Sequence, residues 1–99
     1  MPHYRLSEDA KTDLKRIYMY GCEVFGESQA DKYFEAFFER FAILADDPFL
    51  YPAAEEIGSG VRKSVCGRDT IYYEPTDDGV VIQFILGRQD IAEAIKRHS

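Results

Sequence analysis

The stretch Val61-Arg62-Lys63-Ser64-Val65-Cys66-Gly67-Arg68-Asp69-Thr70-Ile71-Tyr72-Tyr73-Glu74-Pro75-Thr76-Asp77-Asp78-Gly79-Val80-Val81-Ile82-Gln83-Phe84-Ile85-Leu86 decides the fold. Three runs within it, Val61 to Cys66, Thr70 to Glu74 and Val80 to Leu86, carry the Val, Ile, Tyr and Phe side chains that a pleated surface accommodates. Gly67-Arg68-Asp69 and Thr76-Asp77-Asp78-Gly79 separate them and are short enough to be hairpin turns, so the runs form an antiparallel meander. Alternation along the last run puts Val80, Ile82, Phe84 and Leu86 on one face and Val81, Gln83 and Ile85 on the other. Both faces are largely apolar and need covering. Tyr72 and Tyr73 are neighbours, so one is expected to pack inward and the other to point outward.

Upstream lies the cover for one face. His3-Tyr4-Arg5-Leu6 alternates as a short strand, and Ser7-Glu8-Asp9 is a side-chain cap followed by acids suited to a helix N-terminus. Ala10, Leu14, Ile17, Gly21 and Val24 then recur at helical spacing up to Phe25-Gly26, which predicts a helix from about Ser7 to Phe25. Ser28 with Asp31 repeats the start signal, and a second helix runs from there to Asp46-Asp47-Pro48. A connection of about three residues makes the two an antiparallel hairpin. Tyr33, Phe34, Phe37 and Phe38 fan over roughly 140° of the second helix, wider than the roughly 100° one contact face uses. Most of that stripe is core, and part of Tyr33, Phe34 or Phe38 is left to line a groove for another chain's helix. Asp47 to Gly60 reads as a loop inside one domain. In the tail from Gln89 to Ser99, Ile91, Ala92 and Ile95 have the spacing of a short helix, which is expected to cover part of the second face of the sheet. The architecture is α+β, β-αα-βββ with the helix hairpin packed on a twisted antiparallel sheet, a short C-terminal helix, and a single domain over residues 1–99.

Composition narrows the function. The chain has 99 residues, 12 Lys and Arg against 18 Asp and Glu, and a formal net charge of −6. An acidic balance in both halves argues against affinity gained by neutralising a phosphate backbone. Acids on the helices imitating nucleic-acid phosphates are a minor alternative, opposed by interspersed lysines. No apolar stretch approaches the roughly 20 residues that span a bilayer, and the start lacks a signal peptide's features, so a cytoplasmic protein is expected. Cys22 and Cys66 lack the spacing of zinc or redox motifs. A disulfide between them is the less favoured reading in a reducing compartment. Nucleophile elbow, zincin, P-loop and dinucleotide signatures are all missing from the sequence, and nothing in it calls for a metal or a cofactor. His3 and His98 sit at the two ends, where solvent is the usual environment. Glu74, Arg62 or Arg88 and a tyrosine could serve as base, phosphate clamp and proton donor for RNA cleavage. The plainer reading gives these residues packing and turn roles.

The order of the pieces resembles a known family. Tyr4-Arg5-Leu6-Ser7 entering a helix, the Phe25-Gly26 break, Asp47-Pro48, Gly60-Val61-Arg62-Lys63-Ser64-Val65, Ile71-Tyr72-Tyr73-Glu74 and Ile85-Leu86-Gly87-Arg88-Gln89-Asp90 together look like the RelE/ParE superfamily of bacterial type II toxins, on the ParE side. The resemblance spans essentially the whole chain. It implies a small cytoplasmic toxin that inhibits DNA gyrase without being an enzyme. It also implies a hetero-oligomer with a ParD-like antitoxin that wraps a helix and an extended segment around the toxin. Ribosome-dependent RelE nucleases carry a basic cluster and a C-terminal Tyr or His; this chain is acidic and has no Tyr after Leu86, which favours ParE. By matching positions, the resemblance assigns Arg62, Tyr72, Tyr73, Arg88, Gln89 and Asp90 as contacts for antitoxin or target, with no catalytic residue. Two alternatives stand beside it: a RelE-like mRNA endonuclease, and a non-toxic derivative serving as an interaction module.

Overall fold

The computed structural model describes residues 3–87. In chain order it comprises β1 (His3–Leu6), α1 (Glu8–Phe25), α2 (Glu27–Asp46), β2 (Arg62–Cys66), β3 (Asp69–Thr76) and β4 (Gly79–Gly87). The expected C-terminal helix, with Arg88, Gln89 and Asp90, lies outside the described residues.

Local signals set the helix ends. The Ser7 Oγ accepts the Ala10 N–H at 3.0 Å, and Glu8 and Asp9 occupy the positive end of the helix dipole. Gly26, at φ 91°, closes α1 by donating its N–H to the Cys22 carbonyl and also opens α2. A side chain would strain that conformation. The connection is therefore one residue, and the Ser28–Asp31 capping box does not form: α2 begins at Glu27, before Ser28, without a side-chain cap. Asp31 instead accepts the Tyr18 hydroxyl at 2.6 Å, tying the second helix to the first. The helices approach closely where a Cβ on Gly21 would stand 3.3 Å from that of Ala30. Val24, expected on the buried stripe, lies beyond this contact toward the turn and is exposed.

The sheet order is β1-β4-β3-β2. β2, β3 and β4 form the anticipated antiparallel meander, whereas β1 pairs with β4 in parallel, His3 opposite Gly79 through Leu6 opposite Ile82. The sheet is thus mixed. The helix hairpin forms the crossover between the first strand and the meander, which leaves β4 running in the same direction as β1.

A bulge changes the parity of β4. Tyr72 opposes Phe84 but Tyr73 opposes Ile82, so Gln83 is the extra residue. Strict alternation would keep Val80, Ile82, Phe84 and Leu86 together. Instead Val80, Ile82 and Ile85 join Phe37, Phe41, Leu44, Ile71 and Tyr73 in the main core under the helices. Phe84 and Leu86 pack on the opposite face with Tyr72, Ala54, Ile57 and Val61. Consequently Tyr72 and Tyr73 point to opposite faces as expected, yet both are buried, at 3% and 0% exposure. Ala54 and Ile57 of the 47–61 segment supply the second cover.

β1 ends before β4 does, and α1 completes the pairing. The Ser7 N–H donates to the Ile82 carbonyl at 2.9 Å, and the Ser7 hydroxyl donates to the Gln83 carbonyl. The buried Asp13 carboxylate accepts the Ile85 N–H at 3.0 Å, and the Arg16 guanidinium donates to the Ile85 carbonyl at 3.3 Å. Helix side chains here replace the missing strand, so the buried backbone groups of β4 stay paired.

Candidate functional site

Between the helix hairpin and the β2–β3 turn runs an open groove of about 460 Å³. Its floor is small and apolar because α1 contributes Ile17 and Gly21 and α2 contributes Ala30, while Phe34 forms one wall. Phe34 sits edge-to-face with Tyr18 at 5.3 Å. Tyr20 and Phe25 stand at its rim, 54% and 53% exposed. Apolar side chains left open beside a concave surface mark an interaction site more often than scattered exposed residues do.

Tyr33 fixes the turn that forms the far wall. Its hydroxyl lies 2.8 Å from the Asp69 carboxylate and 2.9 Å from the Cys66 carbonyl, and it accepts the Arg68 N–H at 2.9 Å. Arg68 is thereby held with its guanidinium 5.8 Å from the Phe25 ring centre, across the groove mouth. Arg16, fixed on the β4 edge, brings a second guanidinium to the lining, and Gly87 closes that end. The groove therefore combines an apolar floor with two guanidiniums and one carboxylate, Asp69, and Arg16 also lies 3.8 Å from the Asp13 carboxylate.

Burial raises the pKa of Tyr33 above the ordinary tyrosine value, and the Asp69 carboxylate raises it further. Burial likewise raises Tyr72 and Tyr73. A raised folded-state pKa stabilises the fold fully below the unfolded value and loses that contribution as pH climbs through the folded one. Denaturant midpoints are therefore expected to be insensitive to these tyrosines up to about pH 10 and to fall above it. A midpoint that stays flat as phenolate absorbance appears would contradict this.

The positions singled out in the sequence are distributed differently. Arg62 donates to the Tyr51 carbonyl at 2.6 Å and stacks 4.7 Å from the centre of the exposed Phe49 ring. Tyr73 donates to the Pro48 carbonyl at 2.8 Å, and Tyr72 packs on Phe84 at 4.9 Å. These three residues brace the 47–61 segment and are not brought to the groove. Tyr33 and Phe34, anticipated as groove residues, do line it; Phe38 instead packs on Phe34 and Phe41. Sequence reasoning missed Arg16, Tyr20, Phe25 and Arg68 as a group. The available signal was Tyr20, an aromatic residue lying off the periodic stripe of α1. Cys22 and Cys66 are both free thiols. Among the described residues no cluster could hold a metal ion, and no helix is long and apolar enough to cross a membrane.

Residues 4–92 match the family model described as the ParE toxin of the type II toxin-antitoxin system parDE. The chain belongs to the ParE toxin family. This ParE chain is similar to Toxin ParE1 of Caulobacter vibrioides, at 30% identity over 73 residues, covering 74% of this chain and 76% of that protein. It is similar also to Toxin ParE1 of Mycobacterium tuberculosis, 29% identical over 90 residues, covering 89% and 92% of the two chains. In fold it matches a structure described as a chromosomal ParDE toxin-antitoxin system from P. aeruginosa with a TM-score of 0.75, over 88% of this chain and 96% of that one at 18% identity. The protein is a ParE-type toxin of a type II toxin-antitoxin system, and its described residues form an α+β fold of two helices on a four-stranded mixed sheet.

Proposed function

We propose that this ParE chain acts in the cytoplasm as a non-enzymatic inhibitor of DNA gyrase, held in check by a ParD-like antitoxin that seats an apolar segment in the groove between α1, α2 and the β2–β3 turn. The family match over residues 4–92 carries the reading. The groove supports its second half: an open apolar floor of small residues accepts a helix's side chains, and Arg16 and Arg68 suit carboxylates flanking them. Arg88, Gln89 and Asp90 follow Gly87 directly in sequence, and they remain proposed contacts. Arg62 is proposed to contribute through the Phe49 surface that it supports, and Tyr72 and Tyr73 through the segment they hold in place.

A supercoiling assay on relaxed plasmid tests the first half. Titration with the purified chain is expected to stop supercoiling and, after a detergent quench, to reveal double-strand breaks. Normal supercoiling in stoichiometric excess of the chain sinks the gyrase reading, and cleavage of mRNA on translating ribosomes would replace it with the RelE-like one. For the groove, Tyr20→Glu combined with Phe25→Glu alters only exposed side chains. Calorimetric titration with the cognate antitoxin is expected to show affinity reduced at least tenfold, since the two changes remove aromatic contact area at the groove mouth and set two carboxylates where an apolar segment has to be buried. Unchanged affinity would place the antitoxin elsewhere.

A further inference from the structure

Among the described residues three guanidiniums lie over aromatic rings, and all three stand along β2, the edge strand of the sheet. Arg62, the first residue of β2, lies 4.7 Å from the centre of the Phe49 ring. Arg40 reaches over from α2 to donate to the Ser64 hydroxyl and the Val65 carbonyl, each at 2.7 Å, with its guanidinium carbon 5.6 Å from the Tyr51 ring centre. Arg68, just beyond the end of β2, lies over Phe25 at the groove mouth. The ion pairs of the described residues are Lys11–Glu8, Arg16–Asp13 and Lys63–Glu56, so none of these three arginines has its charge met by a carboxylate. Asp69, beside Arg68, is held by the Tyr33 hydroxyl at 2.8 Å. Glu55 and Glu74 share a hollow with Arg62 and Phe49, and Glu74 accepts the Gln83 amide at 2.7 Å.

We propose that this strip of stacked arginines is a second docking surface, taken by an acidic segment of the antitoxin that flanks the apolar segment seated in the groove. The inference rests on the groove reading, because Arg68 belongs to both surfaces and joins them. From there the strip follows the five residues of β2, roughly 17 Å of strand, to Arg62. A chain of net charge −6 repels an acidic segment over most of its surface. The strip is where such a segment finds three cations without competing carboxylates bonded to them. Stacking on a ring consumes none of the five N–H donors of a guanidinium and fixes its plane, so little side-chain freedom is lost when a carboxylate arrives. Phe49 and Leu50, 68% and 59% exposed, add apolar contact at the far end. The same overall charge disfavours a nucleic-acid backbone as the occupant.

Calorimetric titration of the full chain with the cognate antitoxin, over a salt series, tests the proposal. Arg40→Gln with Arg62→Gln is expected to weaken binding roughly tenfold at low salt and to converge with wild type near 1 M, where the screening length is about 3 Å. Arg40→Lys with Arg62→Lys keeps the charge and loses the stacked plane, and is expected to stay within about threefold of wild type, which separates charge from packing. Glu55→Lys alters an exposed residue beside Arg62 and should tighten binding several-fold at low salt, a gain that no folding defect can imitate. Glu8→Lys, the same charge change at the start of α1, should leave affinity close to wild type. The groove variant Tyr20→Glu with Phe25→Glu is measured alongside. If it binds as wild type while the Gln pair weakens, the groove reading fails and the arginine strip stands. The proposal is overturned if the Gln pair binds as wild type at low salt, if its deficit persists unchanged at high salt, or if Glu55→Lys gains no more than Glu8→Lys. A short DNA duplex bound with the same arginine dependence, while antitoxin affinity does not move, overturns it as well.

Discussion

Replacing Gly79 with alanine is expected to detach the first strand from the sheet. Gly79 opens β4 opposite His3, and its φ of +151° already disfavours a side chain. More decisive is the space: a Cβ there would stand 1.7 Å from the His3 carbonyl oxygen and 2.7 Å from its carbonyl carbon. Those are backbone atoms that no rotamer change can move. β1 has to withdraw, and with it go the His3 N–H bond to the Asp78 carbonyl, the four residue pairs with β4, and the packing of Tyr4 against Phe41 at 5.5 Å. The expected loss is about 4 kcal/mol, at the upper end for a single substitution. Urea denaturation reads the loss directly, and hydrogen exchange should show the amides of β1 losing protection before those of the β2–β3–β4 meander. A midpoint within about 0.5 kcal/mol of wild type, the spread of ordinary surface changes, would mean that the first strand contributes little.

Phe37→Ala should have an effect of the same order for a different reason. Phe37 is fully buried at the centre of α2, edge-to-face with Tyr33 at 4.9 Å and 6.3 Å from the Phe41 ring. Truncation removes its transfer free energy and leaves a cavity bounded by a helix and a sheet that cannot collapse onto it, a combination worth about 3–5 kcal/mol. Because Phe37 supports Tyr33, and Tyr33 holds Arg68 at the groove mouth, the variant should also loosen the far wall of the groove. Faster exchange of the Arg68 amide would report that. A loss below about 1 kcal/mol would mean that the core repacks around the vacancy.

Much of this architecture is legible in the residues themselves. The capping serine at Ser7, the apolar repeat of α1, the Phe-rich stripe of α2 and the hairpin turns of the meander are local signals, and local hydrogen bonding realises them. What escaped depends on contacts distant in sequence. The parallel sense of β1 against β4 leaves no mark on either strand, because alternation specifies which face is buried but not which neighbour runs alongside. The bulge at Gln83 is invisible for a related reason: Val80 to Leu86 satisfies a strict period of two, and only the register against Tyr72 and Tyr73 shows that Phe84 and Ile85 have exchanged faces. Arg62, Tyr72 and Tyr73 stand out in a sequence for their chemistry, yet packing claims the tyrosines and hydrogen bonding claims Arg62. The groove residues Arg16, Tyr20, Phe25 and Arg68 come from two helical turns and a hairpin, and nothing short of the folded chain brings them together.

The parallel pairing of β1 with β4 also bears on synthesis. His3 finds Gly79, and Ser7 finds Gln83, across 76 residues of chain in each case. During translation the helix hairpin and the first two strands of the meander emerge before the strand that closes the sheet exists. Until then the apolar stripes of both helices and the inner edge of β1 have no permanent partner. A nascent ParE chain therefore passes through an interval in which it is sticky but not yet the finished toxin, and the arrival of a single late segment ends that interval.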